Sequence, residues 1–282
     1  MGKKWKKFEK GCFEYLCKEY GKNIVINAYG ESDSTKADVE FVVTSNNTFF
    51  VEVKENKSQC CQFVVFPNET SKKFDVSAGV KSPDTNNRRA IIEYMNDNYE
   101  TFCKVNTTGI PINIDSDILY GWVNDFYKPK NVQFFMTKGN GYIIAPIENF
   151  SELFNISAVY RIKKSGSNNP SQRNNLNEIE QGFKRENLFG QLEFIKVGKK
   201  YKCFFHSKLN NNEKRIVCNE YTYLLVENEH SAKISKKEKY VYEVRRLSNT
   251  ANPNVICELS LKYKNQKPND LAAFKKAINM EE

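Results

Sequence analysis

The chain has 282 residues, 40% hydrophobic and 13% aromatic, enough apolar material for one large domain or two to three small ones and too much for a disordered chain. Its 43 basic residues against 34 acidic ones give a formal charge of +9, an excess that suits a polyanionic partner. No apolar run reaches membrane-spanning length and the start, MGKKWKKFEKG, lacks the apolar stretch of a secretory signal, so a cytoplasmic protein with reduced thiols and no membrane partner is expected.

Trp5, Phe8, Cys12, Tyr15 and Leu16 recur at helical spacing from residue 4 to about 20, and Gly21 ends the run. Strand-like runs follow at 24–29, 36–44, 48–54 and 61–66. Alternation places Ala37, Val39, Phe41 and Val43 on one face of the second run, and Phe49, Val51 and Val53 on one face of the third. Ser45-Asn46-Asn47 reads as the polar turn of a hairpin. Closing it so that Thr44 faces Thr48 sets Glu40 opposite Glu52, Asp38 opposite Lys54, and Asp38 diagonal to Glu52. Helical periodicity returns at about 87–104 and 115–128. Residues 1–128 thus read as an α/β unit of α+β character, a mixed sheet flanked by helices.

A second block, 129–178, contains strand candidates NVQFFMT, GYIIAPI and ISAVYRIKK, a short helix near 148–154, and the stretch SGSNNPSQRNNLN, which reads as a loop or linker. The third block, 179–282, is a series of short strands closed by a helix near 269–279. It holds 20 of the basic and 13 of the acidic residues, and so most of the net charge. The two later blocks read as smaller and β-rich. The eight cysteines form no C-x-x-C pair and the histidines are His206 and His230 alone, so spacing points to no structural zinc site.

The hairpin carries the most specific chemistry. Asp38 and Glu52 on neighbouring strands are close enough to share a small hard cation, with the Val53 carbonyl as a third oxygen and Lys54 beside them. Mg2+ suits that oxygen set, and two carboxylates plus a lysine meet the needs of phosphodiester hydrolysis: an activated water and relief of charge at phosphorus. Lys54 would orient or deprotonate the water, or neutralise the transition state, and the residues leave these roles open. Gln62, in the next strand, could contact the attacking water or a phosphate. Glu9 and Glu14 on the first helix could bind water around the cation if that helix packs behind the hairpin. The competing reading is an amphipathic hairpin whose outer charges meet water. The strands are too apolar for a surface ribbon, however, and buried charges need compensation. Residues 158–173 contain Arg161, Lys163, Lys164 and Arg173 and no acid, a composition suited to contacts with base edges or phosphates.

The pattern Asp38, then Glu52-Val53-Lys54, resembles the PD-(D/E)XK nuclease superfamily and, within it, the HhaI-type restriction endonuclease family. WKKFE at Trp5–Glu9, GESDST at Gly30–Thr35, SQCCQFVVFPN at Ser58–Asn68, FFMTKGNGYIIAPIENF at Phe134–Phe150, YRIKKSGS at Tyr160–Ser167 and LSNTANPNVICELSLK at Leu247–Lys262 carry the closer resemblance. It implies a PD-(D/E)XK nuclease core and a monomeric type II enzyme that cuts both strands of double-stranded DNA with Mg2+. The site it implies is GCGC, cut before the last base to leave 5′-phosphate and 3′-hydroxyl ends, with a companion methyltransferase encoded nearby. Asp38, Glu52 and Lys54 would form the active site within a catalytic block of residues 1–128. Residues 129–178 would read bases through Arg161, Lys163, Lys164, Ser165 and Arg173, and 179–282 would grip DNA through Lys199, Lys200 and Lys202.

Four departures accompany the resemblance. Ala37 stands for the motif's proline, Cys61 for a glycine, the run between Asp38 and Glu52 is two residues longer, and the match fades from Asn168 to about Val244. Two other readings fit the same residues, a superfamily relative that cuts branched or damaged DNA, and a DNA-binding protein without a reaction.

Overall fold

The computed structural model describes residues 4–22, 24–29, 37–78, 82–164, 167–168, 173–197, 200–209, 215–218, 221–227, 241–248 and 250–280. The chain forms two compact units, Met1–Ile162 together with Pro253–Glu282, and Lys163–Asn252.

The first unit runs α1 (Lys4–Tyr20), β1 (Val25–Ala28), β2 (Val39–Thr44), β3 (Asn47–Val53), β4 (Gln59–Asn68), β5 (Lys73–Val76), α2 (Asn86–Asp97), α3 (Tyr99–Phe102), β6 (Ile110–Ile112), α4 (Ser116–Tyr127), β7 (Val132–Lys138), β8 (Tyr142–Pro146), α5 (Phe150–Leu153) and β9 (Phe154–Lys164). The second contains β10 (Ser167–Asn168), α6 (Arg173–Arg185), β11 (Gln191–Val197), β12 (Lys200–His206), β13 (Arg215–Cys218), β14 (Tyr221–Glu227) and β15 (Val241–Leu247). The chain then returns to the first unit as β16 (Ala251–Leu261) and α7 (Pro268–Ala277). Among the described residues no helix is long and apolar enough to cross a membrane.

The sheet that carries the hairpin has the order β1-β2-β3-β7-β8 and is mixed, because β3 and β7 run parallel while the other pairs are antiparallel. A parallel pair needs a long crossover, and here it contains β4 to α4. Asn131, at φ 52°, turns the chain from the end of α4 into β7 in the left-handed conformation that asparagine tolerates. Its side chain donates to the Thr48 carbonyl and its own carbonyl accepts from Phe50 N–H, which fixes β7 alongside β3.

One core packs Cys12, Leu16 and Tyr20 of α1 and Phe274 of α7 against Val39, Phe41, Phe49, Val51 and Val53. Phe274 meets Phe41, Phe49, Phe134 and Tyr20 edge-on at centroid separations of 5.1–6.4 Å, and such pairs each add about 0.5–1.5 kcal/mol beyond area burial. A second core joins Leu119, Trp122, Val123 and Tyr127 of α4 to Phe135, Ile143 and Ala145 and to residues of the sheet β5-β4-β16-β9-β6. The edge strand β8 is covered by Gln266, whose side-chain amide accepts from Ile144 N–H and donates to Ile144 C=O. In the second unit, Ile179 and Phe183 of α6 pack against Cys203, Phe205 and Tyr223 of the sheet β11-β12-β15-β14-β13.

The helix–sheet reading of the amino-terminal region agrees with this architecture, while several boundaries differ. Residues 129–162 do not start a separate block, since β7 and β8 complete the first sheet and β9 joins the other. Residues 253–282 belong to the first unit, drawn there by β16 and by Phe274. The stretch read as a linker, 165–177, runs into the first five residues of α6, an amphipathic helix whose Ile179 and Phe183 are buried. The helix expected at 87–104 breaks at Asn98, which lies outside helical geometry at φ −114° and ψ 34°.

Candidate active site

The β2–β3 hairpin turns through Ser45 and Asn46, with Thr44 paired to Asn47 and Val42 to Thr48. The loop is one residue shorter than expected from the sequence, and a bulge at Val43 absorbs another. Glu40 therefore faces Phe50, not Glu52, and Val39 faces Val51, so Asp38 lies one step beyond the ladder on Glu52's level instead of opposite Lys54. Two one-residue slips make an even change, so every side chain keeps its face.

Backbone contacts hold the end of this ladder. The Asp38 carbonyl accepts from Tyr29 N–H at 2.9 Å, and Lys54 N–H donates to Met136 C=O at 2.9 Å, extending the parallel pairing of β3 with β7. Val53 N–H donates to Asp38 Oδ2 at 2.8 Å. Because a strand residue's N–H and C=O leave from the same edge, the Val53 carbonyl projects toward Asp38's side.

Glu52 and Lys54, two residues apart, share a face of the strand while Val53 points into the core with α1 and α7. Lys54 Nζ lies 2.6 Å from Glu52 Oε1, in a pair whose side chains are only 16% and 8% exposed. The Tyr127 hydroxyl, from the last turn of α4, lies 3.0 Å from the same Glu52 oxygen and also within hydrogen-bonding distance of the Cys60 carbonyl. A buried carboxylate is thus positioned by an ammonium group and a phenol, each on a separate piece of the core. These contacts meet the requirement that buried charge be paired and hydrogen-bonded.

The electrostatics reflect two acids forced together. Burial, then the neighbouring Glu52 charge, push the Asp38 carboxyl up to about 6, against the opposing pull of Lys54 and Val53 N–H. Burial works against the Lys54 ammonium, but Glu52 and Asp38 outweigh it and hold this group above the ordinary lysine range, protonated at neutral pH. Glu9 on α1 is pushed up to about 7 by burial and by the Asp38 charge. Lys130 is pulled down by burial, while the charges of Glu52 and Asp38 work to hold it up.

The folded carboxyl of Asp38 titrates above its unfolded value, so its contribution is full below the unfolded value and is lost as pH rises through about 6. At pH 7.5 in metal-free buffer, Asp38→Asn removes a buried charge and its repulsion with Glu52 and should stabilise the fold by roughly 1–2 kcal/mol, read as a higher melting temperature. Glu52→Ala should lower it under the same conditions, because Lys54 is left buried without its partner. A lower melting temperature for Asp38→Asn would show that the repulsion does not govern the site.

The other sequence-derived candidates are distributed more widely. Glu9 is half-buried and within the electrostatic reach of Asp38. Gln62 is exposed on β4, two residues beyond Cys60. Arg161 is half-buried on β9, 3.9 Å from Glu258, and Lys163 is half-buried near the strand's end. Lys164 ends β9, Arg173 begins α6, Lys200 begins β12, and Lys202 is exposed on β12. Ser165 and Lys199 lie outside the described residues. Tyr127 and Lys130 were not legible as site residues. Tyr127 meets Glu52 across 75 positions of sequence, and a tyrosine on an apolar helix face reads as core.

A mixed sheet thus brings two carboxylates and a lysine together at the ends of adjacent strands. Among solved structures the chain is similar to HhaI endonuclease in complex with DNA, at 36% identity, with 98% of this chain and 100% of that chain covered and a TM-score of 0.79. Neither a protein-family model nor a curated protein matches the chain. The chain belongs to the HhaI endonuclease family.

Proposed function

We propose that the chain is a type II restriction endonuclease with a PD-(D/E)XK centre, which hydrolyses both strands of duplex DNA at GCGC, before the last base, in the presence of Mg2+. The observation that carries this reading is the cluster itself. Asp38 is pinned to the Val53 N–H at 2.8 Å and Glu52 to Lys54 at 2.6 Å, inside a fold shared over its whole length with an endonuclease solved on DNA.

The donor set fits a hard divalent cation. Asp38 and Glu52 offer carboxylate oxygens, the Val53 carbonyl projects from the same edge, and a cation would offset the burial and the Glu52 charge that push Asp38 up to about 6. Mg2+ held there would supply positive charge to the phosphoryl group and acidify a water. Tyr127 fixes Glu52 against rotation, so that its oxygens are aligned before substrate arrives. Lys54 is held protonated, which supports a role in neutralising charge at phosphorus and orienting water, and argues against a role as base. Hydrolysis adds one water to phosphorus and breaks the bond to the 3′ oxygen, leaving 5′-phosphate and 3′-hydroxyl ends. Gln62 and Glu9 stand on strand and helix flanking this centre as candidates for contacts to water or phosphate.

Digestion of a plasmid of known sequence in Mg2+ tests the reading. Discrete fragments are expected, and cutting confined to branched substrates would replace restriction by a structure-specific nuclease. The basic residues divide by role in this proposal. Neutral substitutions at Arg161, Lys163 or Lys164 should cost about 1–3 kcal/mol on the cognate duplex and less on random sequence. Substitutions at Lys199, Lys200 or Lys202 should weaken both duplexes alike and reduce the salt slope by about 1. Binding isotherms at several salt concentrations read both effects, and identical losses on both duplexes from both groups would contradict the division.

A further inference from the structure

Where β4 pairs with β16, the register shifts from Ile256–Gln62 to Glu258–Gln59. Two residues of β4, Cys60 and Cys61, are therefore opposed by one residue of β16, Cys257. A bulge of this kind breaks the strict alternation of faces, and here it brings neighbouring side chains together: the Cys60 and Cys61 sulfurs are 3.6 Å apart. All three sulfurs lie within 4.8 Å of one another. Among the described residues no other group of three histidine, cysteine or carboxylate side chains converges so closely. The three cysteines are free thiols and are buried.

We propose that Cys60, Cys61 and Cys257 form a three-thiolate site for a soft d10 metal ion, of the class of Cu+, Zn2+ or Cd2+, set directly behind the candidate active site. Metal–sulfur bonds of about 2.3 Å place the sulfurs of a trigonal or tetrahedral centre roughly 3.7–4.0 Å apart, so the spacing needs only small adjustment. Thiolate ligands select soft ions, and Mg2+ has no affinity for such a set. Binding releases the thiol protons and leaves the complex with negative charge, which the neighbouring Lys54 ammonium offsets. The Lys54 charge is close enough to Cys60 to act on it.

The position also gives occupancy a consequence. The Cys60 carbonyl is a partner of the Tyr127 hydroxyl, which holds Glu52. Both oxygens accept from that one hydroxyl, so drawing Cys60 toward a bound ion displaces the carbonyl and with it the hydroxyl that positions Glu52, and a filled site should slow cleavage. This consequence, unlike the binding itself, rests on the nuclease reading above.

Cd2+ titration of the full chain, followed through the ultraviolet sulfur-to-cadmium charge-transfer band, tests the binding without DNA. One equivalent per chain is expected to saturate the band in the parent protein, and Cys61→Ala and Cys257→Ala should each lower Cd2+ affinity at least tenfold. Circular dichroism checks that both variants are folded. A parent protein without the band, or folded variants that keep the same band and affinity, would overturn the site. In plasmid cleavage with excess Mg2+, one equivalent of Cd2+ should slow the parent at least tenfold and spare Cys61→Ala. Equal inhibition of both would place the ion at the carboxylates and overturn the coupling. Absence of cleavage with Mg2+ alone would count against the nuclease reading, and the band would still decide the thiol site.

Discussion

Lys54→Ala is expected to slow DNA cleavage about a hundredfold to a thousandfold, the scale seen when one preorganised group is removed from developing charge, while salt-dependent DNA binding changes little. Asp38→Ala and Glu52→Ala should be at least as severe. The three losses should not add, because the groups act as a unit. Removing Lys54 leaves Glu52 facing Asp38 without an intervening ammonium, and removing Glu52 strands a buried cation. Single-turnover cleavage on a cognate duplex, paired with binding measured in metal-free buffer, separates chemistry from affinity. Circular dichroism checks that each variant is folded. A Lys54→Ala protein that cleaves at the parental rate would remove this residue from the mechanism. A variant that loses binding as fully as cleavage would point to a structural role.

Removal of Mg2+ by EDTA is expected to abolish cleavage completely, and excess Mg2+ should restore it. Duplex binding should persist in EDTA, because phosphate contacts by lysine and arginine need no cation. Binding in EDTA should become weaker, because no cation then stands between the Asp38 and Glu52 carboxylates and the phosphate. Asp38→Asn should therefore bind DNA more tightly than the parent in EDTA, although it does not cut. Cleavage that continues undiminished at saturating EDTA would mean that the carboxylate pair does not hold an essential ion.

Much of the site could be read from the sequence because it is local. Alternation in residues 37–54 put the carboxylates and the lysine on neighbouring strands, and an even error in register left every side chain on its face. The turn length and the bulge at Val43 were beyond reach, since Ser45-Asn46-Asn47 suits a loop of two residues as well as three. The parts that complete the site are distant in sequence. Tyr127 reaches Glu52 from α4, and Cys257 meets Cys60 and Cys61 through a bulge nearly 200 residues away.

The helix α6 was obscured by its asparagines, which favour turns, and by a preceding Ser-Gly-Ser. Leu176, Ile179 and Phe183 nonetheless repeat at spacings of three and four, and of these Ile179 and Phe183 are buried in the core and Leu176 is half-buried. The return of residues 253–282 to the first unit has no local sign. It is set by Phe274, which fills a gap between Phe41, Phe49 and Phe134, and by Asp270, buried at 2% exposure and held by Asn149 and Tyr263. The terminal helix itself was expected from periodicity, but its partners could be known only from the fold.

Sequencing both termini of every fragment released from a plasmid by the parent protein in Mg2+ tests the central claim most directly. The expected result is a single family of ends, each strand of GCGC broken before the last base, with 5′-phosphate and 3′-hydroxyl groups, and no such ends from Glu52→Ala. Breaks scattered without a common sequence, or ends carrying a 3′-phosphate, would contradict the account.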